Sequence, residues 1–373
     1  MAAKWLQVDE GSEGQRLDNY LLKLLKGVPK THIYRVIRSG EVRVNKGRAG
    51  ADTRLAIGDE VRVPPMRLPD TSGDVPAPAR EFPVIWEDDY LIAIDKPAGV
   101  AVHGGSGVSS GVIEQLRQAR PDAKFLELVH RIDRETSGLL LVAKRRSALT
   151  HLQDQFRDHH VTIGKTYAAL VVGDWPARRK VIDVPLYKFL TAEGDRRVRV
   201  TDADDAEGRR SITLVSVAER FAGFSLLDVV IKTGRTHQIR VHLAHEGHVI
   251  VGDPKYGDFT LNKAVARGDT VRGCRFDRMF LHARRLRFVH PATAEVVELE
   301  APMPAECVAL LQALAKSSAV PNVPHSEPKA PTAPARKAAS AVARKTTPAP
   351  RKPAAKKTSP TARGAKTRRA AHR

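Results

Sequence analysis

Cysteine and aromatic residues are scarce in this chain: among 373 residues there are two cysteines, and Phe, Trp and Tyr together make up 5%. The two thiols, Cys274 and Cys307, can form neither a disulfide framework nor a zinc site with four cysteine ligands, so a reducing cytoplasm is the expected compartment. No apolar run approaches the roughly 18 residues that a membrane helix requires, so no membrane partner is expected. The start of the chain carries acid and no apolar block, and we do not expect a signal peptide.

Acidic residues are almost missing from the last part of the chain. From residue 317 onward there are 14 Lys and Arg residues and one acid, Glu327, which together supply +13 of the net charge of +20. This segment also lacks Phe, Trp and Tyr, so it cannot bury enough surface to offset its chain entropy, and we predict a disordered basic arm over 317–373. A basic chain binds polyanions by releasing their counterions, which makes nucleic acid the expected partner. Charge alone separates neither RNA from DNA nor an enzyme from a packaging protein.

A small α/β unit is predicted over residues 14–64. Apolar residues at helical spacing predict a first helix that begins near Leu17. A second helix is expected to begin with Thr31 as its cap and to end at Gly40. The inner face of this second helix is expected to consist of Ile33, Val36 and Ile37.

Strand-like alternation at 41–45 and again at 60–63 predicts a final hairpin in the same unit. Basic side chains are expected to point outward here, and those predicted to contact RNA are Arg35, Arg38, Arg43 and Lys46. Two short helices, a basic face and a hairpin resemble the S4 RNA-binding domain, and residues 15–20 and 37–45 carry that resemblance. A solvated helical face without a ligand is the alternative interpretation of these charges.

A linker rich in proline is predicted over residues 65–80, and a large unit over 81–316. Strand-like periodicity dominates the large unit, with strands predicted around 91–94, 139–142, 167–172 and 226–231. Helical patterns interrupt the strands at 149–156 and 237–245. The expected fold class is therefore α+β, with a mixed, mostly antiparallel sheet in the large unit.

One segment of the large unit combines features that suggest chemistry. Asp133 lies between two arginines, follows an apolar stretch and precedes a Thr-Ser-Gly turn that enters a fully apolar strand. A neighbouring cation favours the ionised form of a carboxyl group, and a fixed carboxylate can act as a nucleophile or a base. An ordinary Asp–Arg pair that braces a turn would have the same sequence, so the residues alone leave both interpretations open.

The sequence His-Arg-Ile-Asp-Arg-Glu-Thr-Ser-Gly-Leu-Leu-Leu-Val-Ala-Lys at residues 130–144 resembles the main motif of the RluA-type pseudouridine synthases. Ile132 stands where leucine is usual in that family, which exchanges one apolar residue for another. Further motifs of the family are similar to residues 95–105, 165–171, 233–242 and 281–283. The resemblance extends from the S4-like start to about residue 311 and leaves only the tail unmatched.

The resemblance implies an enzyme that isomerises uridines in large-subunit (23S) ribosomal RNA to pseudouridine. Nothing is added or lost in that reaction, so no cofactor and no metal are expected, and a monomer is the default. Asp133 is then expected to break the bond between uracil and ribose, either by attack on the sugar carbon or by removal of a sugar proton. Arg240 is expected to pair with Asp133. Tyr167 is expected to stack on the flipped base, with assistance in proton removal from C5 as a second expected role.

Three further residues are expected to contact RNA if the resemblance holds. Arg131, two residues before the aspartate, is a candidate to fill the space that the flipped uridine vacates. Arg235 and His237 belong to the basic motif, and Arg235 could instead touch a phosphate.

The alternatives to this hypothesis are a zinc site, a phosphate-binding loop and a non-catalytic RNA-binding protein. A zinc hydrolase would need three converging ligands, and although His237, His242, His245 and His248 lie close together, there is no His-Glu-x-x-His pattern. The glycine-rich residues 104–107 lack the Gly-Lys-Ser/Thr ending of a phosphate-binding loop, and their proximity to an RNA backbone is the better interpretation. A non-catalytic RNA-binding factor for ribosome assembly would explain the charge but has no need for the motif around Asp133.

Overall fold

The computed structural model describes residues 3–25, 27–66, 77–105, 110–157, 164–191, 194–271 and 273–318. The basic arm predicted over 317–373 lies outside the described residues from 319 onward. Most of the predicted linker and half of the glycine-rich loop at 104–107 also lie outside them. Among the described residues no helix is both long and apolar enough to cross a bilayer.

The N-terminal unit is a four-stranded antiparallel sheet with two helices. Its elements are β1 Lys4–Gln7, a 3₁₀ turn at Glu10–Ser12, α1 Leu17–Leu24, α2 Lys30–Arg38, β2 Arg43–Val44, β3 Gly47–Arg48 and β4 Glu60–Val63, with strand order β1-β4-β2-β3. The predicted inner face of the second helix is confirmed, because Ile33, Val36 and Ile37 are all buried in one apolar cluster with Leu17. The two predicted strands do pair antiparallel, as β2 with β4, but β3 lies between them along the chain and forms the hairpin with β2.

Two local predictions in this unit were wrong. Thr31 does not cap α2, because the cap position is Pro29, two residues earlier, with φ −57° and ψ 136°, and the helix begins at Lys30. Proline fixes φ near the helical value and prepares the chain to enter a helix without a side-chain cap. The strand predicted at 41–45 is shorter, because Asn45 and Lys46 have positive φ and form the tight turn between β2 and β3.

The large unit is built on a ten-stranded sheet, as the mixed, mostly antiparallel prediction requires. Its strands are β5 Val84–Glu87, β6 Leu91–Lys96, β7 Glu127–Leu128, β8 Ser137–Ala143, β9 Gly164–Val172, β10 Val181–Asp183, β13 Ile212–Phe221, β14 Phe224–Ile231, β15 Leu281–Val289 and β16 Val296–Glu300, and a separate hairpin is formed by β11 Leu186–Leu190 and β12 Arg196–Val200. The main order is β10-β13-β14-β9-β15-β8-β6-β5, with β16 on β15 and β7 on β8. Of these pairs only β15 with β8 is parallel among the described residues.

Helices cover both faces of this sheet. They are α3 Val112–Ala119, α4 Arg146–Arg157, α5 Gln238–His245, α6 Phe259–Arg267 and α7 Ala305–Ser318. Strand β8 is buried along its whole length because its sequence is apolar on both sides. Leu140 and Val142 pack with α3 and α5 on one face, whereas Leu139 and Leu141 pack with α4 on the other. The strands at the centre of the sheet therefore form a rigid base for the loops at their ends.

Candidate active site

Asp133 lies in the loop that connects β7 to β8. The backbone carbonyl of Asp133 accepts a hydrogen bond from the Thr136 amide at 3.1 Å, which closes a turn immediately before β8. The neighbouring Ile132 is buried and holds the loop in the apolar core. The carboxylate itself is 21% exposed and lines a cavity. It is therefore accessible from the cavity, while the loop that carries it is held by the core.

A buried lysine ties this loop to the end of β6. The Lys96 ammonium is fully buried and donates to the carbonyls of Pro97 and Val100 at 2.8 Å and to that of Arg134 at 3.0 Å. The Gly99 amide donates to the same Arg134 carbonyl at 2.9 Å. Burial lowers the pKa of Lys96 to about 7. Because Arg134 is the residue after Asp133, these contacts limit the movement of the carboxylate.

Strand β15 connects the aspartate loop to Tyr167. Ala283 of β15 pairs with Gly138 of β8 on one side and with Tyr167 of β9 on the other. Gly138 has φ +105°, and a Cβ atom there would lie 2.3 Å from the Ala283 carbonyl oxygen. Only glycine permits so close an approach in that conformation. The start of β8, which follows the Asp133 loop, and the strand that carries Tyr167 are therefore positioned by one shared neighbour.

Arg240 on α5 joins two carboxylates. Its Nε and Nη2 each donate to Asp253 at 2.7 Å, and its Nη1 donates to Asp133 at 3.2 Å. The side chains of Arg240 and Asp253 are only 3% and 1% exposed. Burial by itself would lower the pKa of Arg240, but the hydrogen bonds and charge of Asp253, together with Asp133, raise it above its ordinary value. The guanidinium is thus a permanent cation whose orientation is set by Asp253.

Tyr167 and Asp133 line one cavity of about 670 Å³. Tyr167 is buried on β9, and burial together with the charge of Asp133 raises the pKa of its phenol. The phenol is therefore neutral at physiological pH. Apolar walls are supplied by Ile231, Ile239 and Leu281, while Lys165 lies on the same face of β9 as Tyr167, two residues earlier.

His237 stands at the start of α5, close to the aspartate. It has the left-handed φ of 53°, and its Nε2 lies 4.0 Å from a carboxylate oxygen of Asp133. Its Nδ1 shares a hydrogen bond with the Tyr256 hydroxyl at 2.8 Å. Burial lowers the pKa of His237, although Asp133 opposes that shift. A neutral imidazole beside the carboxylate is the form that burial favours.

Comparison with known proteins identifies the family to which this geometry belongs. Residues 90–245 match the RNA pseudouridylate synthase family, and residues 15–61 match the S4 domain. The ribosomal large subunit pseudouridine synthase C of Haemophilus influenzae is 46% identical over 323 residues, which cover 85% of this chain and 96% of the relative. The chain belongs to the pseudouridine synthase family. A second relative of this synthase, the protein of the same name from Escherichia coli K12, is 46% identical over 308 residues, covering 81% and 93% of the two chains.

A solved structure also resembles the synthase. Human RNA pseudouridylate synthase domain containing 4 is 25% identical and superposes with a TM-score of 0.51, covering 62% of this chain and 93% of that protein. The family and the α+β class expected from the sequence are thereby confirmed. The S4 match likewise confirms the resemblance of the first unit to that domain.

The structure of the synthase brings six of the ten predicted site residues into one place. The residues that line the cavity are Asp133, Tyr167, Arg240, Arg131, Arg235 and His237. Arg131 and Arg235 are exposed at its rim, whereas His237 points inward to Asp133 and not outward to solvent. The other four, Arg35, Arg38, Arg43 and Lys46, are exposed on the S4 unit. The roles assigned to all ten residues stay predictions.

Three side chains of the synthase's site were missed by sequence reasoning. Asp253 and Tyr256 lie in a Gly-Asp-Pro-Lys-Tyr-Gly turn that sequence alone marks only as a loop. Lys165 could have been found, because alternation along β9 places it on the face of Tyr167. The remaining histidines do not converge: His242 is bonded to Thr213 and Val184, and among the described residues no group of three metal-binding side chains forms.

Proposed function

We propose that the protein isomerises uridines of large-subunit ribosomal RNA to pseudouridine, with Asp133 as the catalytic carboxylate. The observation that carries the proposal is the placement of Asp133 beside Tyr167 in one cavity, held by Arg240 at 3.2 Å. The names of the relatives supply the substrate class. Ribosomal RNA lies in the cytoplasm of bacteria such as those relatives come from, so we place the activity there.

The reaction breaks the bond from uracil N1 to the ribose carbon and forms a new bond from C5 to the same carbon. The proton at C5 leaves, and N1 gains one, so that the product is an isomer of the substrate. Asp133 would begin the cleavage, either as a nucleophile toward the sugar carbon or as a base toward a sugar proton. Both routes require a carboxylate within reach of the ribose, with a free oxygen lone pair that either bonds to the sugar carbon or takes up the sugar proton.

Arg240 would hold Asp133 in a fixed direction toward the sugar. A guanidinium and a carboxylate form charge-assisted hydrogen bonds of defined direction. Because Asp253 occupies two of the guanidinium nitrogens, the third nitrogen has a fixed direction. The guanidinium therefore does not have to reorient when charge develops at the sugar. Such a fixed orientation of charged groups is called electrostatic preorganisation.

Tyr167 would stack on the uracil ring after the nucleotide leaves its helix. Extrusion of a base costs a few kcal/mol, which stacking against an aromatic ring partly offsets. Because burial raises the pKa of its phenol, Tyr167 is a poor base in its resting state. Stacking and a hydrogen bond from the neutral hydroxyl are the roles that this environment supports.

Basic surfaces would hold the surrounding RNA. Phosphate contacts position an RNA on a protein without reading its sequence. Arg131 and Arg235 stand at the rim of the cavity, and the exposed cations of the S4 unit extend the basic surface to a second unit. These contacts would supply the free energy that base extrusion consumes.

The test measures tritium release from large-subunit RNA labelled at C5 of uridine. Wild-type protein should release tritium, and Asp133→Asn should release none while it binds the RNA with unchanged affinity. Asp122→Asn is the matched control, because Asp122 is an exposed aspartate of the same unit and should leave release unaltered. If wild-type protein releases no tritium from any region of the RNA, a non-catalytic assembly factor becomes the better hypothesis.

A further inference from the structure

The β11–β12 hairpin has two faces of different character. Direct partners across the hairpin are Tyr187 with Arg199 and Phe189 with Arg197, so these four side chains share one face. The opposite face carries Leu186 and Val198, which are buried against Val241 of α5. The hairpin thus lies on the helix that holds Arg240 and turns its aromatic and arginine face outward.

Two polar contacts fasten the hairpin to the active site. The Val198 amide donates to the Tyr256 hydroxyl at 3.0 Å, and the same hydroxyl bonds to His237 beside Asp133. The Lys255 ammonium donates to Asp195 at 2.7 Å, just before β12. These contacts tie the hairpin, through Tyr256, to His237, which lines the cavity, so RNA that extends from a bound uridine toward α5 would meet the hairpin.

The two aromatic rings on this face are parallel. Their centroids are 6.4 Å apart and their planes differ by 4°. The Arg199 guanidinium lies 5.5 Å from the Tyr187 ring and 5.8 Å from the Phe189 ring. Aromatic rings and guanidinium planes are the groups on which proteins stack the bases of unpaired RNA.

The charge of the hairpin suits a polyanion. Its described residues include four cations, Lys188, Arg196, Arg197 and Arg199, against the single acid Asp195, which Lys255 also pairs. Glu207 lies at the edge of the face, where its charge and hydrogen bond raise the pKa of the Tyr187 phenol. This carboxylate holds the tyrosine by its hydroxyl and leaves the ring beside Phe189.

We infer that the face formed by Tyr187, Phe189, Arg197 and Arg199 is a stacking surface for unpaired RNA next to the target uridine. The rings take the bases, and the arginines take the phosphates. This inference rests on the proposed function in naming RNA as the ligand and a uridine as the neighbouring target. It assigns to the hairpin a part in selecting single-stranded over paired regions around the uridine.

The experiment measures the dissociation constants of full-length variants for a labelled oligouridylate and for a duplex of oligoadenylate with oligouridylate. Phe189→Ala is expected to weaken oligouridylate binding about fivefold to a hundredfold, the range for loss of one stacked base, and to leave duplex binding unchanged. Arg199→Gln is expected to lower the slope of log affinity against log salt by about one. Leu190→Ala is the matched control, because Leu190 is 66% exposed on the opposite face of the same hairpin.

Three results would overturn the inference: unchanged oligouridylate affinity in Phe189→Ala combined with Tyr187→Ala, equal weakening for both probes, or the same loss in Leu190→Ala. Thermal unfolding midpoints equal to that of wild type establish that each variant folds. Binding is measured without turnover, so the inference can fail while tritium release persists. Conversely, a protein without tritium release could still lose oligouridylate binding in Phe189→Ala.

Discussion

Arg240 contacts Asp133 through one nitrogen, at 3.2 Å, while its other two nitrogens are bonded to Asp253. The residue that orients the proposed catalytic carboxylate is thus itself oriented by a second carboxylate. Asp253 lies 120 residues after Asp133 in the chain and is not itself one of the residues that line the cavity. Its contribution to activity would therefore be indirect and can be measured.

Asp253→Ala is expected to lower the free energy of unfolding by about 3–5 kcal/mol, as removal of one partner of a buried ion pair does. The turnover number should fall at least tenfold, by about 1.4 kcal/mol or more in activation free energy, because Arg240 loses its fixed orientation. Urea unfolding and tritium release at saturating RNA measure the two effects. Asp253→Asn keeps the shape of the side chain and should recover part of both losses. If Asp253 has only a structural role, Asp253→Ala will lower the free energy of unfolding but leave the turnover number of the folded protein unchanged.

Tyr167→Phe is expected to keep RNA affinity, since the ring proposed to stack on the base is retained. Tyr167→Leu should weaken binding of the extruded base and lower the single-turnover rate by about tenfold or more. Because the pKa of Tyr167 is raised above its ordinary value of 10.0, its phenol does not ionise near neutral pH. The rates of wild type and Tyr167→Phe should therefore have the same dependence on pH from about 6 to 8.5. A rate that rises with pH only in wild type would contradict a neutral tyrosine.

Lys165 is expected to make RNA binding depend on pH. Burial lowers the pKa of Lys165 to about 8, and it lines the cavity on the face of Tyr167. The ammonium form binds phosphate, so affinity should be full well below this pKa and should fall as pH rises through it. Titrations of RNA binding between about pH 7 and 8.5 measure this.

The matched variant for this titration is Lys165→Arg, which keeps its charge over the whole range and should give a flat profile. Lys165→Met should bind weakly at every pH. If all three proteins lose affinity in parallel, the titrating group belongs to the RNA or to another side chain.

Removal of residues 317–373 is expected to weaken RNA binding and to reduce its salt dependence, because 14 Lys and Arg residues are lost with one acid. The turnover number at low salt should stay unchanged, since the cavity lies entirely within the remaining residues. Affinities at several salt concentrations test this. A variant with a tail of equal length, in which glutamine replaces each Lys and Arg, separates the effect of charge from that of chain length. Identical salt slopes for the wild type, the truncated protein and this variant would contradict a role of the tail charge in RNA binding.

Much of the fold was predictable where the spacing of apolar residues allows only one kind of packing. The helical spacing after Leu17 and the apolar run at 139–142 can each bury their apolar side chains only by packing against a hydrophobic core. The β11–β12 hairpin was not predicted, because Arg-Arg-Val-Arg-Val has the charge of a solvated segment and only Val198 marks the buried face. Its burial depends on Val241, a residue distant in sequence that no local pattern can identify.

The site was predictable only through motifs that resemble a known family. Asp133 and Arg240 are 107 residues apart, and neither charge nor periodicity indicates that they meet. Asp253 escaped notice because an aspartate in a Gly- and Pro-containing turn usually serves the turn. Its burial against Arg240 depends on how the loop before α6 closes over α5, which is a property of tertiary packing.

The double pairing of Ala283 with Gly138 and with Tyr167 has a consequence for heat inactivation. One strand spaces the start of β8, which follows the Asp133 loop, from the strand of Tyr167, so separation of the centre of the sheet would move the two proposed catalytic residues apart. Loss of activity on heating should then coincide with loss of the β-sheet signal in circular dichroism. The enzyme would have no inactive folded form on the way to the denatured state.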